Sequence, residues 1–367
     1  MRRIILTFAV FLGTMCAISA AVKADQLAYY DAREFPILGT VCADGEHPFW
    51  RLPDSLASVS RPELFALGKN SAGIAVRFAT DATAIGATWK SLNKFNMNHM
   101  TPTGIRGLDL YVMLPDSTWT TVGSARPMQN AHATRTVIMQ NMRKEMREYM
   151  LYLSLYDGVD SLYIGVDSTA TISQPWLDLP SRVKPIVMYG TSVLQGGCAN
   201  RPGMVHTSIL GRMLNREVYN FGFSGNAKLD YEIAGLMATI DAGVYVIDAL
   251  PNLKTTEIKE RMERFFQIIR SRRPETPVIF VESVIFPITR HDQETLETIS
   301  EKNRTLAEIF ARLNANGEKN IYYFKGDDIL GDCWEGTVDN YHLTDLGFST
   351  FARNFYPLLR DVLEHGK

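Results

Sequence analysis

Apolar residues recur with two different periods along this chain. From about residue 25 to 175 they mostly alternate with polar ones. Ile74, Val76 and Phe78 fall on one face, as do Leu108, Leu110, Val112 and Leu114, then Leu151, Leu153 and Leu155, then Leu162, Ile164 and Val166. Period two over short runs marks half-buried antiparallel strands, because successive side chains point to opposite faces of a sheet. Turn signals such as Asp157-Gly158 and Pro115-Asp116-Ser117 separate the runs. Several such strands in about 150 residues predict a β-sandwich. The stretch from Met139 to Met150 fits either a loop or a short helix.

From about residue 184 the pattern changes. Short apolar runs at Pro185–Tyr189, Glu217–Phe221, Val244–Ala249, Pro277–Val281 and Asn320–Phe324 read as five buried strands. Ile258, Met262, Phe265, Phe266 and Ile269 recur at helical spacing between the third and fourth. Leu296, Ile299, Leu306, Ile309, Phe310 and Leu313 do so between the fourth and fifth, with Gly317 as the helix stop. A last amphipathic helix begins near Thr344 and carries Leu346, Phe351, Phe355, Leu358 and Leu359. Strands alternating with helices imply a parallel sheet covered on both faces and joined by right-handed crossovers. The joint between the two patterns falls in 174–184, where Pro175, Pro180 and Pro185 cluster.

The N-terminus reads differently again. Arg2 and Arg3 precede an apolar run, Ile4 to Ala21, and Val22-Lys23-Ala24 offers a small-x-Ala cleavage site. This is the layout of a secretory signal peptide, too short and too interrupted for a span of about 20 residues. The expected division is a leader at 1–24, a β-sandwich domain at 25–178 and a parallel α/β domain at 179–367. The 367-residue length fits two domains. Removing the leader takes away three positive charges and no negative ones, moving the formal net charge from −2 to −5. With no basic tract there is no reason to expect nucleic-acid binding. No second apolar stretch is long enough to span a bilayer, so an exported protein, periplasmic or secreted, is expected. The four cysteines become three, Cys42, Cys198 and Cys333, which leaves at least one thiol free. No C-x-x-C or H-E-x-x-H spacing occurs and the seven histidines are scattered, so no structural zinc site is expected.

Ligands of open parallel sheets bind beyond the carboxyl ends of the strands. Gly190-Thr191-Ser192 follows the first strand, and a serine on a tight strand-to-helix turn presents its hydroxyl with little backbone crowding. Asn220-Phe221-Gly222-Phe223-Ser224-Gly225-Asn226 follows the second, with glycines that leave N–H groups free for an oxyanion. Asp248-Ala249-Leu250-Pro251-Asn252 follows the third and supplies a side-chain amide. Asp339-Asn340-Tyr341-His342 precedes the last helix, and an Asp three residues before a His can accept its Nδ1 hydrogen. Taken singly, each has a plain structural reading: a hydrogen-bonded turn, an ordinary loop, a Pro-Asn turn, a surface histidine held by a carboxylate. Together they fall at one end of one sheet.

That order, Ser192, Gly225, Asn252, His342, resembles the SGNH hydrolases, the GDSL-type esterase and lipase superfamily, over 184–367. Gly107-Leu108-Asp109-Leu110-Tyr111 resembles the G-x-D-L-Y signature of the β-domain that precedes some exported members, and Gly190–Cys198 with Arg201-Pro202-Gly203 resembles that subgroup's loops. Two positions depart from the broad pattern. Thr191 stands where Asp usually precedes the nucleophile, and Leu250-Pro251-Asn252 replaces Gly-x-Asn, so the backbone at Asn252 lacks an N–H from Pro251.

The resemblance implies a flavodoxin-like three-layer α/β/α domain with five parallel strands, behind an antiparallel, jelly-roll-like β-sandwich. It also implies a serine esterase with the triad Ser192, His342 and Asp339. The oxyanion donors would be the backbone of Ser192 and Gly225 with the amide of Asn252. No metal or cofactor is implied. The expected substrate is an O-acetyl or other short-chain ester on a carbohydrate. Trp334, five residues before Asp339, and Arg201, beside the nucleophile loop, are substrate-binding candidates; packing for Trp334 and a loop-fixing ion pair for Arg201 are the plain readings. Cys198 and Cys333 flank the site, and a disulfide between them is left to geometry. The alternatives are a lipase, lysophospholipase or thioesterase, a peptidoglycan O-deacetylase, and a non-catalytic carbohydrate-binding protein built on the same fold. The absence of a long apolar lid argues against long-chain lipid, and the joint presence of Ser192, Asp339 and His342 against a dead hydrolase.

Overall fold

The computed structural model describes residues 21–176 and 183–366. The expected leader, apart from its last four residues, and the boundary at 178/179 lie outside them. Among the described residues, ten strands form two antiparallel sheets in the N-terminal half: β1 (Leu27–Asp31), β2 (Ile37–Leu38), β3 (Ala75–Thr80), β4 (Ile85–Ser91), β5 (Leu108–Met113), β6 (Trp119–Ala125), β7 (Ala133–Met139), β8 (Arg147–Tyr152), β9 (Val159–Asp167) and β10 (Ile172–Ser173). One sheet runs β1-β9-β4-β7 and the other β10-β3-β8-β5-β6, with β2 also on β3. Two short helices, α1 (Pro62–Gly68) and α2 (Pro102–Arg106), interrupt them. Met139–Met150 is the end of β7, a turn and the start of β8 rather than a helix.

The alternating residues face each other between the sheets. Val76 and Phe78 of β3, Leu108, Leu110 and Val112 of β5, and Leu151 of β8 pack against Ile85, Ala87 and Trp89 of β4 and Leu162, Ile164 and Val166 of β9. The opposite face of β3, β5 and β8 is buried as well, which a half-buried strand would not require. Part of it, Ala75, Tyr111, Met150 and Tyr152, forms a small second cluster. Arg212, from the C-terminal half, lies over the Tyr111 ring at 4.0 Å. The sheet is therefore sandwiched between its own partner and the second domain.

The C-terminal half is a parallel sheet of β11 (Ile186–Gly190), β12 (Val218–Gly222), β13 (Val244–Asp248), β14 (Val278–Val281) and β15 (Ile321–Phe324), in the order β12-β11-β13-β14-β15. The helices are α3 (Ser192–Gln195), α4 (His206–Leu214), α5 (Tyr231–Met237), α6 (Thr255–Arg272), α7 (Gln293–Ala315), α8 (Gly326–Leu330) and α9 (Asp345–His365). Alternation within the buried strands divides the core. Ile186, Met188, Val244 and Val246 go to one face with Leu210 of α4 and Phe348, Phe351, Phe355 and Leu359 of α9. Val187, Tyr189, Tyr245 and Ile247 go to the other with α5, α6 and α7. Each fully buried Leu, Ile or Phe on these faces contributes about 1.5–3 kcal/mol. Helix ends follow local chemistry: Thr344 caps α9 by accepting from Gly347 N, and Gly317, at φ +90°, lies just beyond the end of α7. This is the flavodoxin-type strand order, whose ligand crevice lies at the switch point between its first and third strands, here β11 and β13.

The two halves share a core. Ala72, Met100, Ile105, Leu155 and Tyr156 belong to the same cluster as one face of the parallel sheet, and Leu52 and Leu64 to the other. The guanidinium of Arg51, which is fully buried, donates to the carbonyls of Asn70, Leu67, Asn220 and Gly222, so the N-terminal half ties down the end of β12. Among the described residues no helix is long and apolar enough to cross a membrane.

Candidate active site

Strand register sets the level of the site. Gly190 lies beside Gly222 on one side and Asp248 on the other, so the three neighbouring strands end together. Ser192, Gly225 and Asn252 each follow their strand by a few residues. Thr191 is extended and Ser192 begins the four-residue helix α3, so the N–H of Ser192 lacks an intrahelical acceptor. Gly222 is required where it stands: a Cβ there would run into the main chain of Gln195 and Leu194. Gly225 has φ +67°, the left-handed region that glycine enters without penalty, and is exposed.

Side chains then lock these loops together. Gln195 of α3 is buried; its Nε2 donates to Leu155 O (3.1 Å) and its Oε1 accepts from Ser224 N (2.9 Å). Asn220 of β12 donates to Leu194 O (2.7 Å) and Thr207 Oγ1 and accepts from Gly222 N. Tyr156, from the β-domain, donates to Ser192 O at 3.3 Å. The oxygen of the Asn252 amide accepts from Ala227 N at 3.3 Å, which leaves its NH₂ as the free donor. Pro251 sits in the first turn of the short 3₁₀ segment Leu250–Asn252, where a missing N–H costs nothing.

The fourth loop arrives from the far end of the sheet. Thr337 and Leu343 form an isolated antiparallel bridge, Val338 N donates to His342 O at 2.8 Å, and Asn340 turns the chain at φ +74°. Asn accepts that conformation more readily than most residues. The resulting tight loop aims His342 at Ser192. Its Nδ1 is 2.7 Å from Asp339 Oδ2 and its Nε2 is 2.9 Å from Ser192 Oγ. Asp339 Oδ1 also accepts from the N–H groups of His342 (2.8 Å) and Tyr341 (3.2 Å). Burial alone would raise the Asp339 carboxyl; the hydrogen bonds from the His342 ring and from the two N–H groups outweigh it and hold the group below the ordinary carboxylate range. With Nδ1–H donating to a carboxylate, Nε2 carries the lone pair that can take the serine proton. The arrangement is that of an oriented base on an activated hydroxyl.

The structure thus brings Ser192, Asp339 and His342 into one relay, with Gly225 and Asn252 on loops laced to the nucleophile helix. Arg201 makes the loop-fixing ion pair that was its plain reading in the sequence. Nη1 of Arg201 lies 2.7 Å from Asp109 Oδ2 and 2.6 Å from the Tyr111 hydroxyl, and Gly203 N also donates to Asp109 Oδ2 (2.9 Å). The Asp and Tyr of the G-x-D-L-Y run therefore serve to hold the loop beyond the nucleophile. Trp334 is half-buried with Arg290 across one ring face, 3.7 Å from the centroid, so that face is taken by a cation. Cys42, Cys198 and Cys333 are all free thiols. Beside the relay, a cleft of about 300 Å³ is lined by Pro251, Phe286, Thr298, Ile299, Lys302 and Tyr341. Pro251 adjoins Asn252 and Tyr341 adjoins His342. Gln195, Asn220 and Tyr156 carry no signal of their own in a single sequence, since each acts through contacts that only the fold creates.

Residues 183–360 match a GDSL-like lipase/acylhydrolase family, and residues 27–172 match the family described as the N-terminus of the SGNH-hydrolase-type esterases. No curated protein matches the sequence. Among solved structures, a protein of Bacteroides ovatus described as a GDSL-like lipase is 34% identical, with a TM-score of 0.86 over 92% of this chain and 98% of that one. The salicylyl-acyltransferase SsfX3 of a tetracycline biosynthetic pathway is 16% identical, with a TM-score of 0.74 over 92% and 98% of the two chains. A family two carbohydrate esterase of Clostridium thermocellum, solved with cellohexaose, is 13% identical, with a TM-score of 0.57 over 80% and 93%. The last two likenesses are likenesses of fold.

Proposed function

This chain belongs to the GDSL-like lipase/acylhydrolase family and is an ester hydrolase, and on that premise we propose that it is an exported serine esterase that removes acetyl or another short acyl group from a carbohydrate. The observation that carries the catalytic part is the unbroken relay from Asp339 through His342 to Ser192 Oγ. His342 Nε2 takes the Ser192 proton as the oxygen attacks the ester carbonyl, and Asp339 stabilises the imidazolium that forms. The N–H groups of Ser192 and Gly225 and the amide of Asn252 receive the oxyanion. The imidazolium returns its proton to the leaving alcohol, leaving an acyl-serine. Water, deprotonated by the same histidine, then releases the acid and restores the serine. Every proton transfer is assigned to a residue of the chain, so the cycle draws on no cofactor.

The substrate class is supported by the cleft beside the relay. Its mixed lining of two aromatic rings, two threonines, a serine, a glutamate and a lysine suits a hydroxylated ring and a short acyl group better than a fatty chain. The leader-like residues 1–24 support export, to a compartment where acylated polysaccharides are met. The test measures acetate release from acetylated xylan, xyloglucan, pectin and peptidoglycan beside hydrolysis of 4-nitrophenyl esters from C2 to C12, with wild type and Ser192→Ala. Release from one polysaccharide, C2 preferred and the variant inactive, is expected. Activity rising toward C8–C12 without polysaccharide turnover would make the protein a long-acyl esterase instead.

A further inference from the structure

We propose that the mouth of this site also binds a borderline divalent cation, zinc being its representative, through His99, Cys198 and His342, and that binding reversibly switches the hydrolase off. One ligand atom from each of the three lies within 4.8 Å of the other two. They come from three separate segments: the loop between β4 and α2, the residue that follows the α3 turn, and the Thr337–Leu343 loop. No spacing motif could reveal such a set. The rings of His99 and His342 are 5.7 Å apart between centroids.

The hydrogen-bond partners favour ligation. His342 gives its Nδ1–H to Asp339 and His99 sets its Nδ1 against Asn98 Oδ1 at 3.0 Å. An oxygen partner on one ring nitrogen leaves the lone pair on the other, which is how metal-ligating histidines are usually oriented. Cys198 is a free thiol held in the left-handed region at φ +74°. Two imidazoles and a thiolate suit zinc and disfavour magnesium or calcium. Zinc bond lengths of about 2.0–2.3 Å place tetrahedral ligand atoms about 3.3–3.7 Å apart. From separations of no more than 4.8 Å, the three donors need to close by up to about 1.5 Å, and His99 is exposed on its loop. Water completes the tetrahedron. On binding, the Cys198 thiol releases its proton to solvent and the hydrated ion exchanges three waters for protein donors. The lone pair of His342 Nε2 goes to the metal. Ser192 then has no acceptor for its proton, and acyl transfer stops.

The inhibitory half rests on His342 as the base; the binding half does not. Full-length protein is titrated with Zn²⁺ while it hydrolyses 4-nitrophenyl acetate, and separately with Co²⁺ under an absorption spectrometer. The expected results are inhibition by zinc but not by magnesium, recovery with EDTA, and a thiolate-to-cobalt charge-transfer band. His99→Ala should keep its metal-free turnover and need at least about tenfold more zinc for half inhibition. Cys198→Ser should lose the charge-transfer band. Absence of that band in wild type, or equal zinc sensitivity of wild type and His99→Ala, would overturn the site. The cobalt spectrum decides the binding even if no ester is turned over.

Discussion

Asp109→Asn keeps the shape of a residue at the centre of the domain junction and removes its charge. The Asp109 side chain is fully buried and that of Arg201 is 25% exposed. Oδ2 of Asp109 accepts from Arg201 at 2.7 Å and from Gly203 N at 2.9 Å. Burial pushes the carboxyl up, against the pull of Arg201 and of the Gly203 N–H. Burial would likewise lower the guanidinium, and Asp109 and Tyr111 more than offset it. Removing one partner of a buried pair typically costs about 3–5 kcal/mol, because the other charge is left uncompensated. Arg201 reaches water along a quarter of its surface, and the new amide still accepts from Gly203. Both discount the loss, to about 2–3 kcal/mol. Equilibrium urea unfolding, followed by fluorescence and circular dichroism together, measures it. Arg201→Met and the double variant close a thermodynamic cycle, and a coupling of about 1–2 kcal/mol is expected. An Asp109→Asn variant within 0.5 kcal/mol of wild type, or strictly additive effects, would refute the reasoning that this pair joins the domains.

Two further perturbations follow from the same geometry. Asn252→Ala removes one oxyanion donor while leaving the relay in place, and its turnover on 4-nitrophenyl acetate should fall by about 10²–10³-fold; a loss below tenfold would remove Asn252 from the oxyanion site. Asp248, buried at the end of β13, has its carboxyl pushed up to about 7 by burial. Between the unfolded value of about 3.9 and 7 the folded state holds a proton the unfolded state has lost, so wild-type stability falls as pH rises through that window. Asp248→Asn has no proton to lose, and its stability relative to wild type should improve by about 2–3 kcal/mol from pH 5 to pH 8 in urea unfolding. An unchanged difference would show that Asp248 titrates normally.

How much was legible in the sequence depended on how local the cause was. The five parallel strands were readable because each is a short apolar run, and α6, α7 and α9 because their apolar residues recur at helical spacing. Helices α4 and α5 were passed over; at nine and seven residues they are too short for periodicity to separate them from loops. Strands β1, β4, β6 and β7 were passed over as well, and β1, β6 and β7 lie in part at the surface with no unbroken apolar face. The alternation in β3, β5 and β8 identified the sandwich core but not the second buried face, since that face is covered by another domain. At the site, Ser192, Gly225, Asn252 and the Asp339–His342 pair were legible only in combination, because their order places them at one end of one sheet. For Arg201 the ion pair was readable as a possibility but its partner was not, because Asp109 lies ninety-two residues away in β5. Gln195 and Arg51 were invisible for the same reason: each holds main-chain groups brought near only by the fold.

The most direct test of the account is covalent. Wild type and His342→Ala are treated with a serine-reactive alkyl phosphonate, and the modified residue is located by peptide mass spectrometry. The account predicts one phosphonyl group per wild-type chain, on Ser192, and labelling slowed by several orders of magnitude when the base is removed. No label on Ser192 in wild type, or labelling just as fast without His342, would contradict the relay on which the esterase reading stands.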